Sequence, residues 1–215
     1  MLTAIVPALD EASRLPATLS ALQAEVDEIV VVDGGSRDAT RAVAEAHGAV
    51  VVQAPRGRGR QLNAGVAAGR GDLLWFVHAD AQVAPGAGAA LRGARADWGC
   101  FALDFDVADW RLDLTARLMV RRAERGGACS GDMGIWLRRP LFDALGGFPP
   151  WAAFEDLDLS DRARALAPCE VLRPPLQVSA RRWTGRGVRR TVVELWCLRA
   201  LWRAGVPGEL LARLY

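Results

Sequence analysis

Residues 28–40 read EIVVVDGGSRDAT, and this stretch decides the fold. Residues 29–32 form a β-branched run, apolar at every position and too short for a helix, as expected of a strand buried on both faces. Asp33 follows, then Gly34 and Gly35, which lack a Cβ and so let the backbone turn and approach a ligand closely. Ser36 or Asp38 can cap a helix over 38–47, and Gly48 stands where a glycine stops one. Strand, polar glycine turn and helix within twenty residues make the first part of a βαβ unit.

The same unit extends outward in both directions. Residues 3–6, 50–53 and 73–77 read as further buried strands, and 15–26 and 61–70 as the helices between them, with Leu15, Leu19 and Leu22 on one helical face. This β-α-β-α-β-α-β rhythm predicts an α/β fold with a mainly parallel sheet flanked by helices. Ligands of such sheets bind beyond the carboxyl ends of the strands. The polar residues gather there: Asp10 and Glu11 after the first strand, Asp33 after the second, residues 56–60 after the third and 78–80 after the fourth.

Downstream, 99–107 alternates Phe101, Leu103, Phe105 and Val107, which predicts a half-exposed antiparallel strand. A helix is expected over 110–125 with Leu114, Leu118 and Ala123 inward, then a strand over 133–137. A short helix from Pro140 should end at Gly146 and Gly147. Residues 156–166 read as a helix whose acidic first turn suits the positive end of its dipole. Two tail helices follow, over 188–204 and 207–214. The first is unusually apolar, with Trp196 and Trp202 among Arg189, Arg190, Arg199 and Arg203. We divide the chain into a domain over 1–180 and a basic helical tail over 181–215.

Composition bounds the function. A chain of 215 residues can bury a core as one domain, and its 51% apolar and 24% charged residues are ordinary for a globular protein. All 27 basic residues are arginine, which excludes a P-loop lysine and a Schiff-base lysine. The tail carries eight Arg against two Glu, so the net charge of +2 conceals a basic end and an acidic body. No glycine-rich GxGxxG follows the first strand, which argues against a Rossmann dehydrogenase, and no aromatic-basic platform suggests nucleic acid. The four cysteines lie far apart without a CxxC pair and are expected as buried, reduced thiols. The N-terminus lacks the pattern of a signal peptide and no run is long enough to span a bilayer, so a cytoplasmic protein is expected.

Five stretches, in this order, resemble family 2 glycosyltransferases of the GT-A fold: IVPALDE (5–11), EIVVVDGGSRDAT (28–40), GRGRQLNAG (57–65), WFVHAD (75–80) and RRPLFDALGGFPPWAAFEDLDLSDRAR (138–164). They are similar to that family's PxxNE turn, DDGS loop, G(R/K)GxxxNxG segment, DxD and GGF…ED stretches. HAD and SARRWTGRGVRRT (179–191) also resemble a subgroup of short bacterial members linked to arsenosugar biosynthesis. The departures are one Asp in DGGS, Asp10 in place of Asn, and a DxD reduced to its last carboxylate.

The resemblance implies an inverting transferase that moves a sugar from a nucleoside-diphosphate sugar, UDP- or GDP-linked, to the hydroxyl of an unidentified acceptor. Asp80 would be the protein ligand of Mg²⁺ or Mn²⁺, a hard cation that offsets the charge of the departing diphosphate. Asp156 would be the base that takes the acceptor's proton, with Glu155 its neighbour. Pro7, Glu11, Asp33 and Gly35 would shape the nucleotide pocket, Asp33 accepting from the base. Arg58 or Arg60 would contact phosphate unless RGRGR is only a solvated loop, Arg181, Arg182 and Trp183 would close over the diphosphate, and Asp132 would meet the donor sugar or acceptor. Asn63 reads as a loop-fixing or donor-side residue and His78 as a site or core histidine. The tail helix is either a packed helix or a peripheral contact with anionic lipid. Two other readings stay open: a degenerate sugar-nucleotide-binding or scaffold protein, and a sugar-nucleotidyltransferase.

Overall fold

The computed structural model describes residues 1–126 and 128–214, apart from the side chains of Arg182 and Arg213. Its first half alternates as the sequence predicts, except that the strand at residues 50–53, expected to be buried, lies at the sheet edge and is partly exposed. β1 (Leu2–Ala8), α1 (Leu15–Gln23), β2 (Glu28–Asp33), α2 (Thr40–Ala46), β3 (Val50–Gln53), α3 (Arg58–Ala68) and β4 (Leu73–Phe76) follow one another. β1 pairs in parallel with both β2 and β4, and β2 with β3. The register sets Ala8 beside Asp33 and Asp33 beside Gln53, so the first three strands finish along one edge.

The second half completes the sheet with α4 (Ala87–Arg92), β5 (Trp98–Phe105), α5 (Trp110–Glu124), a 3₁₀ turn at Gly131–Met133, β6 (Trp136–Arg138), α6 (Arg139–Leu145), α7 (Glu155–Leu166) and β7 (Cys169–Val178). The order across the seven strands is β3-β2-β1-β4-β6-β5-β7. β6 alone runs against its neighbours. α8 (Arg181–Arg186), α9 (Val188–Arg203) and α10 (Gly208–Leu214) end the described chain.

Strand alternation sends consecutive residues to opposite faces, and both faces are covered. Val30, Val32, Leu74 and Phe76 join one core with Leu62 and Val66 of α3 and Leu112 and Ala116 of α5. Val31 and Trp75 join the other with Leu15, Leu19 and Leu22 of α1. A smaller cluster packs Leu198 of α9 and Leu211 of α10 against Phe154 and Leu157 at the start of α7. No helix among the described residues is long and apolar enough to cross a membrane.

Four further expectations are corrected. β5 is buried at all but one position; it is antiparallel to β6 as expected but parallel to β7, and Val107 lies outside it and is exposed. An inner strand flanked on both sides and covered by helices has no wet face, so its alternation did not mark half-exposure. In α5 the buried residues are Leu112, Ala116, Val120 and Ala123, whereas Leu114 and Leu118 are exposed. That helix carries two apolar stripes, and the inward one contains the small residues. The strand expected over 133–137 shortens to β6, with Met133 in the 3₁₀ turn. Finally, the cysteines are not all buried and separate. Cys197 is exposed, while the sulfurs of Cys100, Cys129 and Cys169 lie within 4.8 Å of one another.

Candidate active site

The carboxyl edge of the sheet is held together by side chains from its own loops. Gln61 Nε2 donates to the carbonyls of Ala8 (3.1 Å) and Val32 (2.9 Å), tying the ends of β1 and β2. The loops after those strands are joined as well. Asp10 N donates to Ser36 Oγ at 2.9 Å and Arg37 N to Asp10 Oδ1 at 2.8 Å. Thr18 Oγ1, buried on α1, donates to the carbonyls of Ala79 (2.8 Å) and Ala81 (2.9 Å), which bracket Asp80.

Three hollows lie along this edge. One, of about 460 Å³, is lined by Asp33, Gly35, Ser36, Arg41, Gln53, Ala54 and Pro55. Asp33 is 1% exposed there. Its Oδ1 accepts from Ser36 N at 2.9 Å, and its Oδ2 lies 3.7 Å from Arg41 Nε. Gly35 has φ +97°, a backbone conformation that suits glycine. A second, narrow gap brings together Pro7, Arg58, His78, Gly131, Glu155 and Asp156. The third, of about 690 Å³, opens beside it and is shared by Arg58, Asp132, Asp156 and Trp183 with α5 and α9.

The charged residues of the middle gap come from both halves of the chain. Arg58, the first residue of α3, donates through Nε to Glu155 Oε1, and its Nη1 lies 3.5 Å from His78 Nε2. His78 Nδ1 is 3.4 Å from Asp132 Oδ1. Burial, together with the charge of Asp156, pushes the Glu155 carboxyl up to about 7, against the opposing pull of Arg58. For Arg58, burial acts downward, but Glu155, Asp156 and Asp132 outweigh it and hold the guanidinium above its usual range. Among the described residues Glu155 Oε2 is buried without a hydrogen-bond partner.

Asp156 is fixed on both oxygens. Gly131 N donates to its Oδ2 at 2.6 Å, and Leu157 N to its Oδ1 at 2.8 Å. Gly131 is wedged between two of these groups, since a Cβ there would lie 2.9 Å from His78 Nε2 and 3.4 Å from Asp156 Oδ2. The carboxylate is 9% exposed and stands in the first turn of α7, where the helix dipole favours negative charge.

The other candidates divide. His78 lies two residues beyond the end of β4, and its ring joins the charged cluster instead of the core. Trp183 lines the large cavity and packs edge-on against Phe105 with ring centroids 5.5 Å apart. Asp80 borders none of the three hollows, and its Oδ2 sits 3.7 Å from Arg181 Nη2. Two candidates are engaged within the protein, Asn63 as the loop-fixing residue that was one of its two expected roles. Asn63 donates to the Phe148 carbonyl at 2.8 Å and accepts from Phe148 N at 2.9 Å, so its amide is occupied in holding the 146–148 turn. Glu11 pairs with Arg14 at 2.9 Å, and its backbone N donates to Thr40 Oγ1. The side chain of Arg182 lies outside the described residues.

Sequence reasoning missed Arg41, Arg122, Ser130 and Gly131. In an all-arginine chain Arg41 and Arg122 carry no mark, but Ser130 and Gly131 stand beside the candidate Asp132 in SGDMG (130–134). Among the described residues the one cluster of three His, Cys, Asp or Glu donors is Cys100, Cys129 and Cys169. Its soft sulfurs suit a thiophilic ion and not Mg²⁺ or Mn²⁺. Asp80 offers one hard carboxylate, partly exposed at a strand exit, which fits a hard cation that takes the rest of its shell from phosphate and water.

Residues 3–92 match the sequence profile of glycosyl transferase family 2. Over 85 residues the chain is 40% identical to an uncharacterized glycosyltransferase of Mycobacterium tuberculosis, covering 39% of this chain and 38% of that one. The chain thus spans under two-fifths of the length of these curated relatives. The fold is similar to TarS of S. aureus, solved with UDP-GlcNAc, at TM-score 0.63 and 18% identity over 83% of this chain and 58% of that one. It is also similar to glucosyl-3-phosphoglycerate synthase from Mycobacterium tuberculosis, solved with Mn²⁺, UDP and glucosyl-3-phosphoglycerate. There the TM-score is 0.61 at 23% identity, over 97% of this chain and 81% of that one. At such identities the likeness establishes the architecture, which is the GT-A fold.

Proposed function

We propose that this chain is a family 2 glycosyltransferase that moves a sugar from a UDP- or GDP-sugar to an acceptor hydroxyl with inversion at the anomeric carbon. The observation that carries the reading is Asp156. Its carboxylate is clamped by two backbone N–H groups, stands between the charged gap and the cavity of about 690 Å³, and has the sheet's carboxyl edge on one side. Inversion needs a base on the face away from the leaving group, and a rigid carboxylate facing a separate cavity supports that role. Relatives solved with UDP-GlcNAc, or with UDP and Mn²⁺, support a nucleotide-sugar donor.

In this reading Asp33 and Gly35 hold the nucleoside in the hollow beside Arg41. Arg58 and Arg181 meet the diphosphate, for which Arg58 would leave Glu155 and Arg181 would leave Asp80. Asp80 would hold a divalent cation, which when bound supplies positive charge to the departing diphosphate. His78 and Asp132 position the sugar, and Asp156 takes the acceptor proton as the glycosidic bond forms. The basic, Trp-bearing α9 supports a peripheral contact at the inner face of a membrane.

Donor sugars of UDP and GDP, incubated with Mn²⁺ and assayed for released nucleoside diphosphate, test the reading. We expect turnover by Asp156→Asn to fall roughly 10²–10⁴-fold below wild type, with donor affinity kept. Wild-type rates from that variant would remove Asp156 from the mechanism. The pairing of Asp80 with Arg181 favours one other outcome, nucleotide binding without turnover, which would make the chain a sugar-nucleotide-binding protein.

A further inference from the structure

The largest of the three hollows has two kinds of wall. Leu118 and Met119 of α5 face Leu195 and Trp196 of α9 to make an apolar sleeve, while Arg122, Arg199 and Arg203 supply positive charge. Arg122 is only half engaged. Its Nε donates to the Ala128 carbonyl at 2.8 Å, but its Nη2 is buried without a hydrogen-bond partner among the described residues. Burial lowers the pKa of this guanidinium, and both Asp156 and Arg203 are near enough to act on its charge. A partly buried guanidinium with one N–H edge unsatisfied, beside the proposed base, suits an anion.

The apolar surface continues past the cavity. Leu114 and Leu118 are 49% and 50% exposed on α5, and Val193 and Trp196 are 61% and 69% exposed on α9. Each pair sits one helical turn apart, so apolar stripes run outward along both helices. Exposed Arg189 and Arg190 stand on the first turn of α9. A small hydrophilic acceptor would leave the sleeve and these stripes unused. A headgroup attached to hydrocarbon would use both.

We infer that this cavity is the acceptor site and that it receives a lipid whose headgroup carries an anionic group and a free hydroxyl, presented from a membrane surface. The inference rests on the glycosyltransferase reading and names its acceptor class. The anionic group lies with Arg122, Arg199 and Arg203, and the hydrocarbon leaves along Leu118 and Trp196. The headgroup oxygen bonds to the anomeric carbon while the bond from that carbon to the diphosphate breaks. The electron pair departs with the diphosphate, and the hydroxyl proton passes to Asp156. A volume near 690 Å³ holds a headgroup and the first part of its chains.

Calorimetric titration of the whole chain with dihexanoylphosphatidylglycerol, dihexanoylphosphatidylcholine and glycerol 3-phosphate tests this. Charge-assisted hydrogen bonds to arginine should make the phosphatidylglycerol bind about tenfold or more tighter than the phosphatidylcholine. Glycerol 3-phosphate should bind more weakly than the phosphatidylglycerol. Arg122→Gln and, on the partly exposed face of α9, Arg199→Gln should each erase the preference for the anionic lipid. Equal binding of the two lipids, or no binding of either, overturns the inference. So does glycerol 3-phosphate binding as tightly as the lipid, which would mark a soluble acceptor. Thermal shift with UDP or GDP and Mn²⁺ is run in parallel. A nucleotide response without lipid binding removes only the acceptor assignment, whereas lipid binding without any nucleotide response removes the transferase reading.

Discussion

Glu155 is the carboxylate whose surroundings alter it most, and its chemistry is separate from that of Asp156 beside it. Its pKa rises from an ordinary 4.5 to about 7 because burial penalises the charged form. The folded chain therefore holds this proton more tightly than the unfolded chain does. The resulting stability is fully present below about pH 4.5 and is lost as pH rises through about 7. Urea unfolding at about pH 5 and about pH 8 should show the wild type losing stability across that interval relative to Glu155→Gln, which does not titrate. A parallel pH dependence in the two proteins would place the titration elsewhere. Of the residues in this cluster, Glu155 and Asp156 were legible because two adjacent acids open a helix after a GGF turn. His78 was ambiguous, since its place depends on where β4 stops, and strand ends are poorly marked in a run such as LLWFVHAD.

The element that joins the two halves of the site is α3. Its second residue, Gly59, packs against the 149–151 segment, where its N donates to the Trp151 carbonyl at 3.0 Å. A Cβ on Gly59 would lie 1.9 Å from the Pro149 carbonyl oxygen, and that oxygen belongs to backbone. Gly59→Ala should thus cost about 1–3 kcal/mol of stability in chemical unfolding, as overpacking does. Gly185→Ala, with nothing within 4 Å of its Cβ, should stay within about 0.5 kcal/mol of wild type. Equal effects would mean that α3 is not docked there. Elements were readable where the local code was clean. β1 to β4 are short β-branched or aromatic runs bounded by turns. β7 was hidden because Pro174 and Pro175 interrupt it, which an edge strand tolerates at the irregularity between Phe101 and Leu103 of its partner. The inward face of α5 was misread because leucines stand on its outward stripe too.

At the scale of the molecule, sequence distance proved a poor guide to neighbourhood. Cys100, Cys129 and Cys169 come from β5, the segment before the 3₁₀ turn and β7, three places that meet only when the sheet is assembled. Iodoacetamide should label Cys197 first in the native protein, with Cys100 and Cys129 reacting only on unfolding, as peptide mass spectrometry would reveal. Rapid labelling of Cys100 would contradict the closed core. The tail likewise packs on α7 through Leu198 and Leu211 while leaving Trp196 outside, a division that helical periodicity alone does not give. The tie between Arg58 and Glu155 spans 97 positions of sequence and has a kinetic corollary. In the proposed transferase, a diphosphate that captured the guanidinium would set the acid free next to Asp156, so entry of the first substrate would prepare the room of the second. Turnover should then be ordered, donor before acceptor. The released nucleoside diphosphate should inhibit competitively toward the donor and noncompetitively toward the acceptor, whereas random entry would uncouple the two chambers.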